Sequence, residues 1–276
     1  MLDSMNKLLK GVLYFVMRYV CRRSFLTADC PKRSVRMKFK TEDAVGRTMF
    51  KTGDYESAIS DFVSRIELRP GEVAFDVGAN IGWYSVLIAA ATANRNTVYA
   101  FEPDAFNFNL LCENVSLNGA SSVLPVRLAV GEESCTKTLF KYPCKNLGRH
   151  SLLPIGQDGS EMVECVALDD FCSSRGIDPA RVAFLKIDVE GYEMFVIRGA
   201  STVLQHARVV VTEYIPKQLA HGGVQGEDFI DSMGERGFEP HLVEEGRLCL
   251  KSREQIKALQ ACDIIWMRRP SQSGKF

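Results

Sequence analysis

The 276-residue sequence predicts an α/β fold built on a mostly parallel sheet, with a helical segment in front of it. Three observations carry this. Short β-branched runs alternate with helical patterns from Val73 onward, a glycine turn joins the first run to the first helix, and two runs end in acids, Asp76 and Glu102. A chain of this length can bury one large core without needing a second.

Residues 1 to about 70 read as a mainly helical cap or lead-in, ahead of a ligand-binding domain at 71–276. Leu8 to Val20 is apolar-rich, but Lys10 and Arg18 interrupt it and Arg22 and Arg23 close it. A spanning helix needs ~20 largely uncharged residues, so this segment falls short. Arg18 and the lack of a small-x-small cleavage site argue against a signal peptide. Two readings stay open: a helix packed on the core, which is preferred, or an amphipathic anchor giving residues 1–40 peripheral membrane contact. The basic stripe of Lys32, Arg33, Arg36, Lys38 and Lys40 reads as a solvated face, with anionic lipid or substrate contact as the alternative.

Within the lead-in, Ser34–Phe39 is the one expected strand. Thr41 is the expected N-cap of a helix with Glu42 and Asp43 in its first turn, and Gly53 ends it. Ile59, Phe62, Val63 and Ile66 form a helical stripe that Arg69-Pro70-Gly71 stops.

The alternation then begins. A buried strand from Val73 ends in Asp76, turns at Gly78 and reopens as a helix from Ile81. Thr97 to Glu102 is the next strand, followed by a helix over Asp104–Asn118 and a strand over Val123–Val130. Residues 131–167 break the pattern as a hairpin-like insert, with strands at Thr138–Tyr142 and Glu161–Ala167 around a polar loop. Val182–Val189, a helix over Glu193–Leu204 and Val209–Tyr214 resume the core. Phe238–Val243, Leu248–Leu250 and Asp263–Met267 read as tail strands.

The turn after the first strand discriminates among nucleotides. A dinucleotide site wants Gly-x-Gly-x-x-Gly, because a pyrophosphate must approach the backbone closely. Here Gly78 fills the first slot, but Asn80 and Trp83 fill the others and argue against a nicotinamide dehydrogenase. The carboxylate of Asp76 suits a cationic ligand, and S-adenosylmethionine has a sulfonium, an ammonium and no phosphate. Glu102 lies 24 residues beyond Gly78, near the ~20 expected of an acid that accepts both ribose hydroxyl protons. The bland alternative is that Glu102 only helps the next helix start.

Asp-Val-Gly-Ala-Asn-Ile-Gly at 76–82, Phe-Glu-Pro at 101–103, Leu-Asp-Asp at 168–170 and Leu-Lys-Ile-Asp-Val-Glu-Gly-Tyr-Glu at 185–193 resemble the FkbM family of class I methyltransferases. Gly53-Asp-Tyr-Glu56 is similar to that family's lead-in, and the resemblance covers about residues 40–215. It implies a Rossmann-like sheet with an antiparallel last strand, S-adenosyl-L-methionine as cofactor, and O-methylation of a small-molecule or saccharide hydroxyl. Methylation of a protein or other macromolecule, and a non-catalytic binder on the same fold, are the alternatives. The expected cofactor residues are Glu56, Asp76, Gly78, Asn80, Gly82, Glu102, Pro103 and Ala129.

Catalysis is expected beyond the carboxyl ends of the later strands. Asp188 is the first candidate to position or deprotonate a hydroxyl, with Glu213 or His150 assisting. Glu190 and Glu193 sit where carboxylates favour a helix start, and Glu193 reads as structural. His206 and His241 read as structural, and His221 is a weaker candidate than His150. Clustered acids suit a divalent metal, but no metal is expected here.

Composition excludes little. Lys plus Arg and Asp plus Glu number 34 each, so no overall field argues for nucleic acid, and no nucleic-acid partner is expected. Nine cysteines without a Cys-x-x-Cys pair point to a reducing, cytoplasmic setting. Oligomeric state is not legible.

Overall fold

Whether the alternating runs form one sheet depends on strands that are apolar on both faces, because a parallel sheet is covered on both sides. Every residue of Val73–Val77 and of Val182–Ile187 is buried. A computed structural model of the protein describes residues 2–142, 147–155 and 159–269. In chain order its elements open with α1 (Leu2–Phe15), β1 (Phe25–Cys30), β2 (Val35–Lys40), α2 (Ala44–Thr52) and α3 (Ser57–Val63). Next come β3 (Val73–Val77), α4 (Trp83–Ala91), β4 (Val98–Phe101), α5 (Ala105–Leu117) and β5 (Val123–Val126). β6 (Ala129–Val130) precedes the insert, which contributes β7 (Cys135–Phe140) and β8 (Ser160–Val166). Then follow α6 (Leu168–Arg175), β9 (Val182–Ile187), α7 (Glu193–Arg198), α8 (Ser201–His206) and β10 (Val209–Tyr214). The tail holds α9 (Pro216–His221), α10 (Gly226–Glu235), β11 (Phe238–Glu244), β12 (Arg247–Leu250), α11 (Arg253–Lys257) and β13 (Cys262–Arg268).

The central sheet has eight strands in the order β12-β11-β13-β10-β9-β3-β4-β5. From β5 through β10 the pairings are parallel. The last strand, β13, runs antiparallel between β10 and β11. The order reverses between β3 and β9, where the chain goes to β4 on one side and returns on the other. Such a switch point opens a crevice at the strands' carboxyl ends.

Several local expectations need correcting. The lead-in holds two strands, not one: β1 pairs antiparallel with β2. Only Ala28 and Cys30 of β1 are buried, so it lacks the clean alternation that marks β2. Asp43, not Thr41, caps α2, accepting from the Gly46 amide at 2.9 Å. Thr41 instead donates its hydroxyl to the Arg23 carbonyl at 2.9 Å. The expected strand over Val123–Val130 divides, β5 staying in the central sheet and β6 joining β8 in a separate three-stranded one. The helix over Glu193–Leu204 divides too, because Asp169 accepts the Thr202 and Val203 amides at 2.8 and 3.0 Å and starts α8 afresh. Within the insert, β7 pairs antiparallel with β8.

Asn114 of α5 ties the lead-in to the crevice. Fully buried, it donates to the carbonyls of Lys38 and Ile81 and accepts from the Lys38 amide at 2.6 Å. At the other end, α1 rests on the lead-in through buried Tyr14, whose hydroxyl donates to the Thr41 carbonyl. No helix among the described residues is long and apolar enough to cross a membrane.

Candidate active site

The turn after β3 is shaped by backbone that L side chains rarely adopt. Gly78, Asn80 and Gly82 all have positive φ, at 79°, 51° and 89°. At Gly78 a side chain is also excluded by space, since a Cβ would come within 1.8 Å of the Asp188 carbonyl oxygen. The ends of β3 and β9 therefore touch backbone to backbone. Gly82 serves another purpose: a Cβ there would meet Leu111 at 2.6 Å, so it lets α4 close on α5 and does not line the crevice.

Glu102, at the end of β4, is 5% exposed. Its two oxygens accept the amides of Asn80 and Asp104 at 2.8 and 2.9 Å. Burial pushes its pKa up to about 8, helped by the charges of Asp104 and Asp76, while the two amides pull it down. With Pro103, Ala129, Val130, Gly78 and Asn80 it lines a narrow slot of about 40 Å³, roofed by Gly148 and His150–Leu152 of the insert. The Asn80 side-chain oxygen is buried with no hydrogen-bond partner among the described residues, and the residue borders the cavities on both sides of the turn.

Across the turn lies a second cavity of about 270 Å³, bordered by Tyr55, Glu56, Tyr84, Asp188, Glu190 and Glu213. Lys186 reaches it from below. Its ammonium is 2.9 Å from Asp188 Oδ2 and 5.0 Å from the Tyr84 ring centre. Burial opposes the Lys186 charge, but Asp188, Asp263 and Glu56 outweigh it and hold its pKa above the ordinary value. Tyr84 donates its hydroxyl to Glu56. Glu190, at a left-handed φ of 53°, accepts from Gln218 at 2.7 Å and Arg149 at 3.4 Å. Burial, then the Asp188 charge, raises its pKa to about 7. Glu213 is raised to about 9 by burial and by the neighbouring carboxylates, and one of its oxygens has no hydrogen-bond partner among the described residues.

The structure thus brings Glu56, Gly78, Asn80, Asp188 and Glu213 to one cavity and Glu102, Pro103 and Ala129 to the slot beside it. It does not bring Asp76 there: that carboxyl sits beneath the turn, 1% exposed, accepting the Ser85 hydroxyl. His150 lies on the slot side, away from Asp188. Its Nδ1 accepts the Tyr142 amide at 3.0 Å and its Nε2 is 4.0 Å from Asp104. Burial lowers its pKa, and with Nδ1 engaged it has no lone pair left for a base on the acceptor side. Glu193 behaves as structural, accepting the Val189 and Gly191 amides at 3.1 and 3.2 Å.

Sequence reasoning gave no role to Lys186, Tyr84, Arg149 or Gln218. For Lys186 a signal existed. Residues 186 and 188 share a face of one strand, and a lysine inside a fully buried strand demands a partner. Asp188, Glu190 and Glu213 each offer an oxygen within 4.8 Å of the others, a spacing a divalent cation can use. Lys186 already holds one Asp188 oxygen, and Arg149 and Gln218 hold one of Glu190.

Residues 76–240 match the methyltransferase FkbM domain. The chain belongs to the FkbM methyltransferase family. It is 28% identical over 181 residues to the hexuronic acid methyltransferase AglP of Haloferax volcanii, covering 66% of this chain and 69% of that protein. It is 32% identical to the 31-O-demethyl-FK506 methyltransferase FkbM of Streptomyces tacrolimicus, over 49% of this chain and 61% of that one. Among solved structures, an O-methyltransferase of Bacillus cereus in complex with SAH overlays with a TM-score of 0.46 at 9% identity, over 78% of this chain and 83% of that one. The protein is an S-adenosylmethionine-dependent methyltransferase. The residues present fit that cofactor: a turn that has no side chain at Gly78, a carboxylate able to accept hydrogen bonds from two hydroxyls, an amide oxygen unpartnered among the described residues, and an excess of carboxylates suited to a cation.

Proposed function

We propose that this FkbM methyltransferase transfers a methyl group to a hydroxyl of a saccharide or other small molecule, within the cavity bounded by Asp188, Glu190 and Glu213. The observation that carries it is the group of three carboxylates, with Lys186 behind Asp188, at the point where β9 and β10 end beside the Gly78 turn. The names of the two relatives, a hexuronic acid methyltransferase and a 31-O-demethyl-FK506 methyltransferase, support a hydroxylated acceptor.

Bound S-adenosylmethionine supplies an electrophilic methyl group on a good leaving group, so the chain's own residues have two tasks. Glu102 takes the ribose hydroxyls and Asn80 a further donor, while Glu56, held by Tyr84, meets the methionine end. On the acceptor side, a hydroxyl attacked onto carbon becomes strongly acidic, so even an ion-paired carboxylate can remove its proton. Lys186, 2.9 Å from Asp188 Oδ2, fixes that carboxylate in direction, which makes Asp188 the proton acceptor through placement. Glu213, raised to about 9, is protonated at neutral pH and can donate to an acceptor oxygen. Arg149, 38% exposed and reaching Glu190, lies at the cavity's rim, where it can meet an acidic substituent.

The test is a panel of hydroxylated sugars, uronic acids and macrolides incubated with labelled cofactor, with product structure read by NMR. Methyl ether formation on at least one of them supports the reading. Transfer confined to carboxyl, amino or protein acceptors would overturn it.

A further inference from the structure

Helix α1 wears its apolar side outward. A surface helix of a soluble domain normally turns that stripe to the core and its charges to water. Here Tyr14 is 4% exposed and Lys10 and Gly11 are half-buried against the lead-in, with Lys7 and Lys10 bordering the groove that holds Asp54 and Glu56. The opposite side presents Leu8, Leu9, Val12, Leu13 and Phe15, between 50% and 70% exposed. Beyond it the chain continues as a short π-helical stretch, Val16–Val20, with Tyr19 and Val20 at 56% and 67%. Single exposed leucines need no explanation, but a contiguous stripe of this kind marks a surface that something covers.

Charge identifies the cover. Residues 7–25 contain Lys7, Lys10, Arg18, Arg22 and Arg23 and no acid. Arg22 and Arg23 are exposed where the chain turns back after the stripe. Further along, Phe25 stacks on Phe106 at 6.2 Å, both partly exposed, with Lys38 and Lys40 over the two rings at 5.1 and 5.5 Å. Asp29 is paired with Arg36 and Glu42 with Lys40. A second copy of the chain, set face to face on this patch, would bring like charges together. Apolar side chains bordered by arginines and lysines match instead the acyl boundary and headgroups of an anionic bilayer.

We propose that α1 and the stretch following it dock the enzyme on the surface of an anionic lipid bilayer, the helix lying in the plane of the interface. The docking is independent of which hydroxyl the enzyme methylates.

The experiment is flotation of the full-length protein with vesicles of phosphatidylcholine, alone or with added phosphatidylglycerol. The wild type should float with the anionic vesicles and less so in high salt. Leu9→Glu with Leu13→Glu should lower that partition at least about tenfold, since two apolar side chains become charges. Arg22→Glu with Arg23→Glu should lower it by about 30-fold or more, from the loss of attraction per basic residue at such a surface. All four positions are exposed, so folding is preserved; unchanged binding of S-adenosylhomocysteine in each variant checks this. A wild type that stays with the protein fraction on both vesicle types would overturn the proposal. So would a wild type that dimerises, is made monomeric by the leucine substitutions and floats with neither vesicle.

Discussion

Glu102 gives the sharpest quantitative test, because burial stores a proton that the cofactor has to displace. Its carboxyl is pushed up to about 8 while already accepting two backbone amides. Ribose hydroxyls donate to the ionised form, so binding below that value must first remove the proton. The affinity for S-adenosylhomocysteine then follows the ionised fraction, which rises about tenfold from pH 6 to pH 7 for a group titrating near 8. The cofactor's own amino group stays charged across that window. Isothermal titration of the wild type should show this tightening, and Glu102→Gln should lack most of it, because an amide has no proton to lose. Its affinity at the upper pH should also be weaker by roughly tenfold or more, from the lost charge-assisted bonds. Other carboxyls titrate nearby, but the difference between the two proteins isolates Glu102. An identical pH slope in the variant, or undiminished affinity, would refute the ribose assignment.

Asp188→Asn should lower turnover by ~10²–10⁴ while leaving cofactor affinity within a few fold, measured on whichever acceptor the panel yields; joint loss of both would move Asp188 to the cofactor. Gly78→Ala should destabilise the fold by about 3 kcal/mol or more in urea melts, since it adds a left-handed backbone penalty to a steric conflict with the Asp188 carbonyl; a wild-type melt would contradict the close approach. Chelating agents should leave turnover unchanged, because donors already occupy oxygens of Asp188 and Glu190; loss reversed by magnesium or manganese would show that a metal displaces them. Without cofactor, thermal stability should fall as pH rises from 5 to 9. Burial raises Asp76 and Asp263 to about 6, Glu190 and Glu193 to about 7 and Glu102 to about 8, so the folded state holds more protons than the unfolded one in that window. That contribution is complete below the unfolded values and lost as pH passes the folded ones. A midpoint that climbs over the same range would contradict it.

What the sequence disclosed was what is local in the chain. Gly78 and Asn80 announce a turn within seven residues of their strand, and Glu102 and Pro103 sit at the end of the next one, so one short βαβ stretch writes half of the site. What it concealed is assembled from afar. Arg149 comes from the insert and Gln218 from α9, and no spacing rule links them to Glu190. Asp76 shows the opposite failure. Its position beside the turn suggested a ligand, but the inward face of a fully buried strand gave the carboxyl to Ser85. His150 was placed on the acceptor side from its neighbours in a loop, and only the return path of the insert decides that it roofs the slot. Strand β1 was missed because one of its faces is largely open to solvent, which erases the alternation that reveals a strand.

The contact between Gly78 and the Asp188 carbonyl has a consequence for how this site can diversify. Two strand ends in backbone contact leave no side chain between the Gly78 turn and the backbone of Asp188. Their separation is set by sheet register, which neither a rotamer change nor a surface substitution can alter. The walls that an acceptor would meet under the proposed function are by contrast drawn in part from the insert and from the chain after β10, both outside the parallel core. Natural variation can therefore redraw the acceptor pocket by lengthening or exchanging those segments, while the reacting distance is inherited unchanged.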